Sequence, residues 1–222
     1  MEHDNQQPEK PNHATGGEQP QTTPANPIEQ TERAETLDGD RPKIWVGSLS
    51  DYNNGVLHGE WMDAARDADE VHADIQRMLS ASPTAAKYGD VAEEWGIFDH
   101  EGFGAYSVHE YDSIDTVSRI ARGIEEHGLA FAAWADMCDN DHDRLDKFEE
   151  AYLGHYSSAE GWVEELMDDL GHTREVDDAV PESLRPYVRI DIEGLARDMQ
   201  LGGDVYTAAA DDGGIYLFDS HV

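Results

Sequence analysis

The chain has 222 residues, enough for one sizeable core or several small ones, and carries 49 acidic against 15 basic residues for a formal net charge of −34. Such an excess repels nucleic acid and anionic membranes, and its self-repulsion costs stability, so basic surfaces are the partners it favours. The single cysteine, Cys138, excludes an internal disulfide, and no apolar run approaches the roughly 20 residues of a membrane span. With no signal-peptide pattern at the N-terminus, the expectation is a cytoplasmic protein.

Residues 1–42 are rich in Gln, Pro, Thr, Asn and Glu and nearly empty of large apolar side chains, the composition of a disordered polar tail. They hold 9 acids and 3 bases, which leaves 40 acids and 12 bases in 43–222, so the acidity belongs to the folded part. From Lys43, KIWVGSL (43–49) alternates as a strand, SDYNNG (50–55) carries turn chemistry and VLHGEWM (56–62) reads as a second strand. Between Asp67 and Ser80 the period becomes helical, with Val71, Ile75, Met78 and Leu79 on one face and Pro83 beyond the end. A third strand, EEWGIFDH (93–100), completes a ββαβ unit: a small antiparallel sheet with one helix packed on it.

The segment 111–155 reads as helical. Ser113 or Asp112 caps a helix bearing Ile114, Val117, Ile120, Ala121 and Ile124 that Gly128 ends. A second helix runs through 131–138 and a third through Leu145, Phe148 and Tyr152. From Ser157 an amphipathic helix turns Val163, Leu166, Met167 and Leu170 inward and stops at Gly171. Asp191 caps a short helix with Ile192, Leu195, Ala196 and Met199 on one face, stopped by Gly202-Gly203, and VYTAAA and IYLF around Asp211–Gly214 form a hairpin. The expected fold class is α+β, three small modules in series: an N-terminal α+β domain (43–110), a helical middle domain (111–155) and a C-terminal α+β domain (156–222).

No motif points to catalysis, cofactor binding or a metal site. DNDHDRLDKFEE (139–150) puts Asp139, Asp141, Asp143 and Glu150 at EF-hand positions 1, 3, 5 and 12, which keeps a calcium-binding module as an alternative. Against it, position 6 should be Gly and is Arg144, and position 8, normally apolar, is Asp146. None of the eleven histidines has paired-ligand spacing in a helix, and Cys138 lies between Asp136 and Asp139, whose charges oppose thiolate formation.

The acids themselves are arranged. Asp63, Asp67, Glu70 and Asp74 are three or four apart, as are Asp139, Asp143, Asp146 and Glu150, while Glu160, Glu164 and Asp168 form a line with Glu165 and Asp169 beside it. At roughly 5–6 Å between Cβ atoms, helical side chains so spaced make rows of negative charge. An ordinary solvated face interleaves Lys or Arg, yet 159–171 contains neither. Salt adaptation of a whole proteome is the other alternative, since only four lysines occur. Duplex DNA carries about one charge per 1.7 Å, a phosphate array that such rows could imitate in a basic channel.

Three stretches resemble the ArdA antirestriction proteins. PESLRPYVRIDIEGLARDMQLGGDV (181–205) looks like their C-terminal signature, a Pro-x-x-Leu-x-x-Tyr turn, an Ala-Arg-Asp helix and a Gly-Asp turn. IWVGSLSDYNNGVLHGEWMD (44–63) and EEWGIFDHEGFG (93–104) are similar to their N-terminal domain, with its Tyr-Asn-x-Gly loop and Gly-x-Trp strand. The polar tail and the DNDHDR stretch depart from the family pattern. The resemblance implies an elongated, three-domain DNA mimic that dimerises and fills the DNA groove of type I restriction-modification enzymes, protecting mobile DNA. The carboxylates of the three rows would then stand in for phosphates. The edge of the terminal hairpin, at Val205 and Tyr206, together with the family's habit of dimerising there, suggests a homodimer interface.

Overall fold

The computed structural model describes residues 41–139 and 141–222, so the expected disordered tail lies, except for its last two positions, outside the described residues. Those two are anchored: Arg41 donates from Nε to Glu125 at 2.8 Å, and the buried Pro42 accepts from the Ala64 amide at 3.0 Å.

Strand β1 (Lys43–Ser48) lies between β2 (Gly59–Asp63) and β3 (Trp95–Glu101) in an antiparallel sheet of order β2-β1-β3. Alternation turns Ile44, Val46, Met62 and Ile97 inward, where they are buried. The expected turn at 50–55 is largely a short helix, α1 (Leu49–Asn53), because Ser48 supplies an N-cap oxygen to the Asp51 amide. Val56 to His58 stay outside β2, so the second strand is shorter than its apolar run suggested. Helix α2 (Ala68–Ser80) buries Val71, Ile75, Met78 and Leu79, the four residues its periodicity selects. Pro83 opens a further helix, α3 (Pro83–Tyr88), behind the Ser82 N-cap: a proline that stops one helix can occupy the first turn of the next.

Asp51 ties α1 to α3. It is fully buried, and its Oδ1 accepts the Thr84 amide at 2.9 Å. Burial alone would raise its pKa, but the hydroxyls of Ser82, Thr84 and Ser48 and the Thr84 amide outweigh it and hold the carboxyl far below its usual range. A depressed native pKa contributes stability above the unfolded value near 4, and that contribution is lost as pH falls through the acid range. We expect Asp51→Ala to lower stability by about 1–3 kcal/mol at neutral pH. In urea melts the gap between wild type and Asp51→Asn should narrow as the pH is taken below about 4.

Ser113 caps α4 (Ile114–His127), and α5 (Leu129–Cys138) packs beside it after the Gly128 corner. A Cβ on Gly123 would lie 2.2 Å from Phe131 Cε1, so this glycine lets the ring settle on α4. The third expected middle helix is two single turns, α6 (His142–Leu145) and α7 (Phe148–Ala151). Tyr152 then begins a strand, β4 (Tyr152–Tyr156), rather than continuing the helix. Its partner is remote: β4 pairs with β6 (Ile215–Asp219), which also pairs with β5 (Val205–Ala209), giving the antiparallel order β4-β6-β5. The expected hairpin is therefore part of a three-stranded sheet, and the segment boundary expected after His155 falls within β4.

Between β4 and β5 come α8 (Ala159–Asp169), α9 (His172–Ala179) and α10 (Ile192–Gly202). Trp162 and Val163 of α8 are buried, while Leu170, expected inside, is 58% exposed because the helix ends at Asp169 and the chain turns at Gly171. Asp191 caps α10 through the Gly194 amide, as expected, and Gly203 ends it in the left-handed conformation.

Buried apolar residues form two clusters. The first runs without interruption from Ile44 through α2, α4, α5 and α7 and includes Phe218 of β6. The second contains Ala159, Trp162, Val163, Ala196, Val205 and Leu217. The mixed α+β class with two small antiparallel sheets is thus observed. Neighbouring residues of β6 face opposite clusters, Leu217 the second and Phe218 the first, where its ring lies 5.2 Å from that of Trp134.

Candidate interaction surface

The three acidic rows differ once folded. Asp63 ends β2 and Asp67 is the N-cap of α2, so the first set is not a single helical line. Arg122 donates to Asp67 at 2.8 Å, and Arg41 lies 3.7 Å from Asp63. Asp74 receives Arg66 at 2.6 Å and also Arg77. Arg66, then Arg77, hold its carboxyl below the ordinary value. Glu70 is exposed, with no partner among the described residues. The first row is thus largely compensated within the chain.

The second set is broken. Asp139 adopts a left-handed conformation at φ +46° that stops α5, and Asp141 restarts the helix by accepting the Asp143 and Arg144 amides. Asp139 and Asp143 remain exposed, Asp146 is paired with Arg119, and Glu150 accepts Lys147 at 2.9 Å. The calcium-loop alternative gains no support from these positions: the described part of 139–150 contains α6 and part of α7. Asp141 is used as a cap and Glu150 in an ion pair, while the Arg144 guanidinium lies over the rings of Trp134 at 5.2 Å and Tyr206 at 5.3 Å. Among the described residues, no three Asp, Glu, His or Cys side chains gather to hold a metal.

The third set is a helical row. Glu160, Glu164, Glu165, Asp168 and Asp169 all lie on α8 and are all exposed. No ion pair reaches any of them among the described residues. Glu160 is held below its ordinary value by its own backbone amide and then by the Ser158 hydroxyl at the helix start. Burial raises the Tyr156 phenol, and the charges of Glu165 and Asp169 push it further.

Periodicity did not bring out α9, whose Glu175, Asp177 and Asp178 extend the negative surface. Asp177 lines a groove of about 430 Å³ with Glu164, Asp168, Val176, Arg189 and Ile192. The signal was there in Gly171, which lies in the left-handed region between α8 and α9: a glycine that ends one helix can turn the chain into another.

Val205 and Tyr206, expected at a dimer contact, separate. Val205 is buried in the chain's own second cluster, and Tyr206 is 40% exposed on β5, which among the described residues pairs on one side only. Cys138 is buried, and burial pushes its thiol up to about 11, opposite to what a nucleophile needs. No helix among the described residues is long and apolar enough to cross a membrane.

In comparison with known proteins, the family described as antirestriction protein (ArdA) matches residues 44–212, a span that takes in the first sheet and β4 and β5 of the second and ends before β6. No curated protein matches the chain.

Proposed function

This chain belongs to the ArdA antirestriction family, and from that premise we propose that it is an acidic DNA mimic. In this reading it occupies the DNA-binding groove of a type I restriction-modification enzyme in the cytoplasm and blocks cleavage of incoming mobile DNA. One observation carries it: five exposed carboxylates on α8, none of them held in an ion pair among the described residues. A surface kept merely soluble gains from interleaved cations, whereas one that presents charge to a basic channel is weakened by them. The segments 43–110, 111–155 and 156–222 would lie in series along that channel.

The mechanism is occupation. The protein takes the place of DNA and turns nothing over, and no cofactor takes part. Titrated into a cleavage assay with a purified type I enzyme, it should inhibit at molar equivalence. It should inhibit equally after chelator treatment and desalting. Inhibition at a small fraction of the enzyme concentration, or its loss after that treatment, would sink the proposal.

We further propose a homodimer through β5, whose unpaired edge would otherwise invite aggregation. Tyr206→Lys is the informative substitution, because Tyr206 is exposed while Val205 belongs to the chain's own core. Light scattering should give a dimer mass for the unsubstituted chain and a monomer for Tyr206→Lys, whereas Val205→Lys should lose the fold. A monomer mass for the unsubstituted chain at micromolar concentration would refute the proposal.

A further inference from the structure

The outer face of the first sheet is aromatic, in a chain with a formal net charge of −34. Gly47 is paired with Gly59 on one side and Gly96 on the other, so three glycines form a row across the three strands. The Trp45 indole lies down over two of them, since a Cβ on Gly47 would meet its Cζ3 at 2.6 Å and one on Gly59 its Cη2 at 2.7 Å, while Glu110 and Phe98 cover Gly96. Phe98 packs edge-on against Trp45 at 5.7 Å, and Tyr52 of α1 lies 5.2 Å from Phe98. Trp61, directly opposite Trp45 across the strands, is 41% exposed, and Tyr52 is 58% exposed.

The rim carries the opposite chemistry. Lys43 stands in the next row between Asp63 and Glu101, and the exposed Asp99 lies opposite Trp45. Lys43 Nζ is 5.2 Å from the centre of the Trp61 ring and 2.7 Å from a Glu101 oxygen. One cation is therefore already held in the manner this face offers, against a ring with a carboxylate beside it. A second copy set against this same face is a poor occupant, since it would bring Asp63, Asp99 and Glu101 up against their own counterparts.

We propose that this face is a docking surface for an arginine-bearing segment of a basic protein partner. A guanidinium is planar and weakly hydrated, so it can stack on Trp61 or Tyr52 while its edge donates to Asp99, the rim carboxylate that no ion pair holds among the described residues. A lysine ammonium is more strongly hydrated and gains less from the rings. The inference is independent of the α8 row, which offers charge without aromatic rings.

The test titrates the full chain with oligo-arginine and oligo-lysine peptides of equal length, by calorimetry at physiological and at high salt. The arginine peptide should bind about three- to thirtyfold more tightly, and the preference should persist at high salt while both affinities fall. Tyr52→Ala and Trp61→Ala, each confirmed folded by circular dichroism, should reduce the preference, lowering the oligo-arginine affinity more than the oligo-lysine affinity. A variant with the α8 row converted to amides should lose affinity for both peptides and keep the preference. Equal affinities for the two peptides, or a preference untouched in both aromatic variants, would overturn the inference. Neither outcome would bear on inhibition by α8.

Discussion

Converting Glu160, Glu164, Glu165, Asp168 and Asp169 together to their amides should weaken inhibition of a type I enzyme by about tenfold to a thousandfold. An exposed pairing with a target Lys or Arg is worth roughly a factor of 1.6 to 4, because solvent and salt screen it, and five such factors multiply. Each single change should therefore be nearly silent. Asp146→Asn with Glu150→Gln provides the contrast, since both charges are already compensated by Arg119 and Lys147, and their loss should cost far less. Inhibition should weaken as salt rises and should extend to enzymes with different recognition sequences, because backbone-like charge carries no base information. Inhibition constants at two salt concentrations, on variants that remain folded, decide the matter. No change for the α8 variant leaves α8 a solvated face, and a loss traced to a single acid points to a discrete site.

Phe218→Ala should be the most damaging single truncation for stability, at about 3–5 kcal/mol. The side chain is fully buried, and its ring meets Trp134 at 5.2 Å, Tyr152 at 5.7 Å and Phe148 at 6.4 Å. Because it fastens the second sheet to the first cluster, its removal opens a cavity where two parts of the chain meet. A thermal melt should fall by on the order of 10 °C, and urea unfolding should shift its midpoint accordingly. A loss below about 1 kcal/mol would show that the site collapses around the gap and that Phe218 is no keystone.

Local signals in the sequence reported much of this architecture. The 3.6-residue periods of α2 and α4, the caps at Ser113 and Asp191 and the alternation of β1 all appear where the residues indicate. Helices α1, α3 and α9 left local signals in Ser48, Ser82-Pro83 and Gly171, whereas β4 depends on a remote partner. Tyr152-Leu-Gly-His-Tyr156 is a strand because β6 offers an edge from far along the chain, and no window around Tyr152 contains that fact. The same holds for charge. Spacing placed the carboxylates of α8 in a row correctly, but it could not tell that Arg66, Arg77 and Arg122 return to Asp74 and Asp67, nor that Asp139 breaks the second row. An acid's availability is a property of the folded surface.

The pairing of Tyr152 with Phe218 also bears on the order in which the molecule assembles. Helices α2, α4 and α5 need only nearby residues to begin, whereas the second sheet closes only after α8, α9 and α10 have been passed and the loop-closure entropy has been met. The β4–β6 ladder should therefore form late, with Phe218 entering a first cluster that has already gathered. A contact made after the rate-limiting step leaves the folding rate nearly alone and acts on the reverse reaction. Phe218 would then behave as a latch, setting how long the native molecule persists rather than how fast it appears.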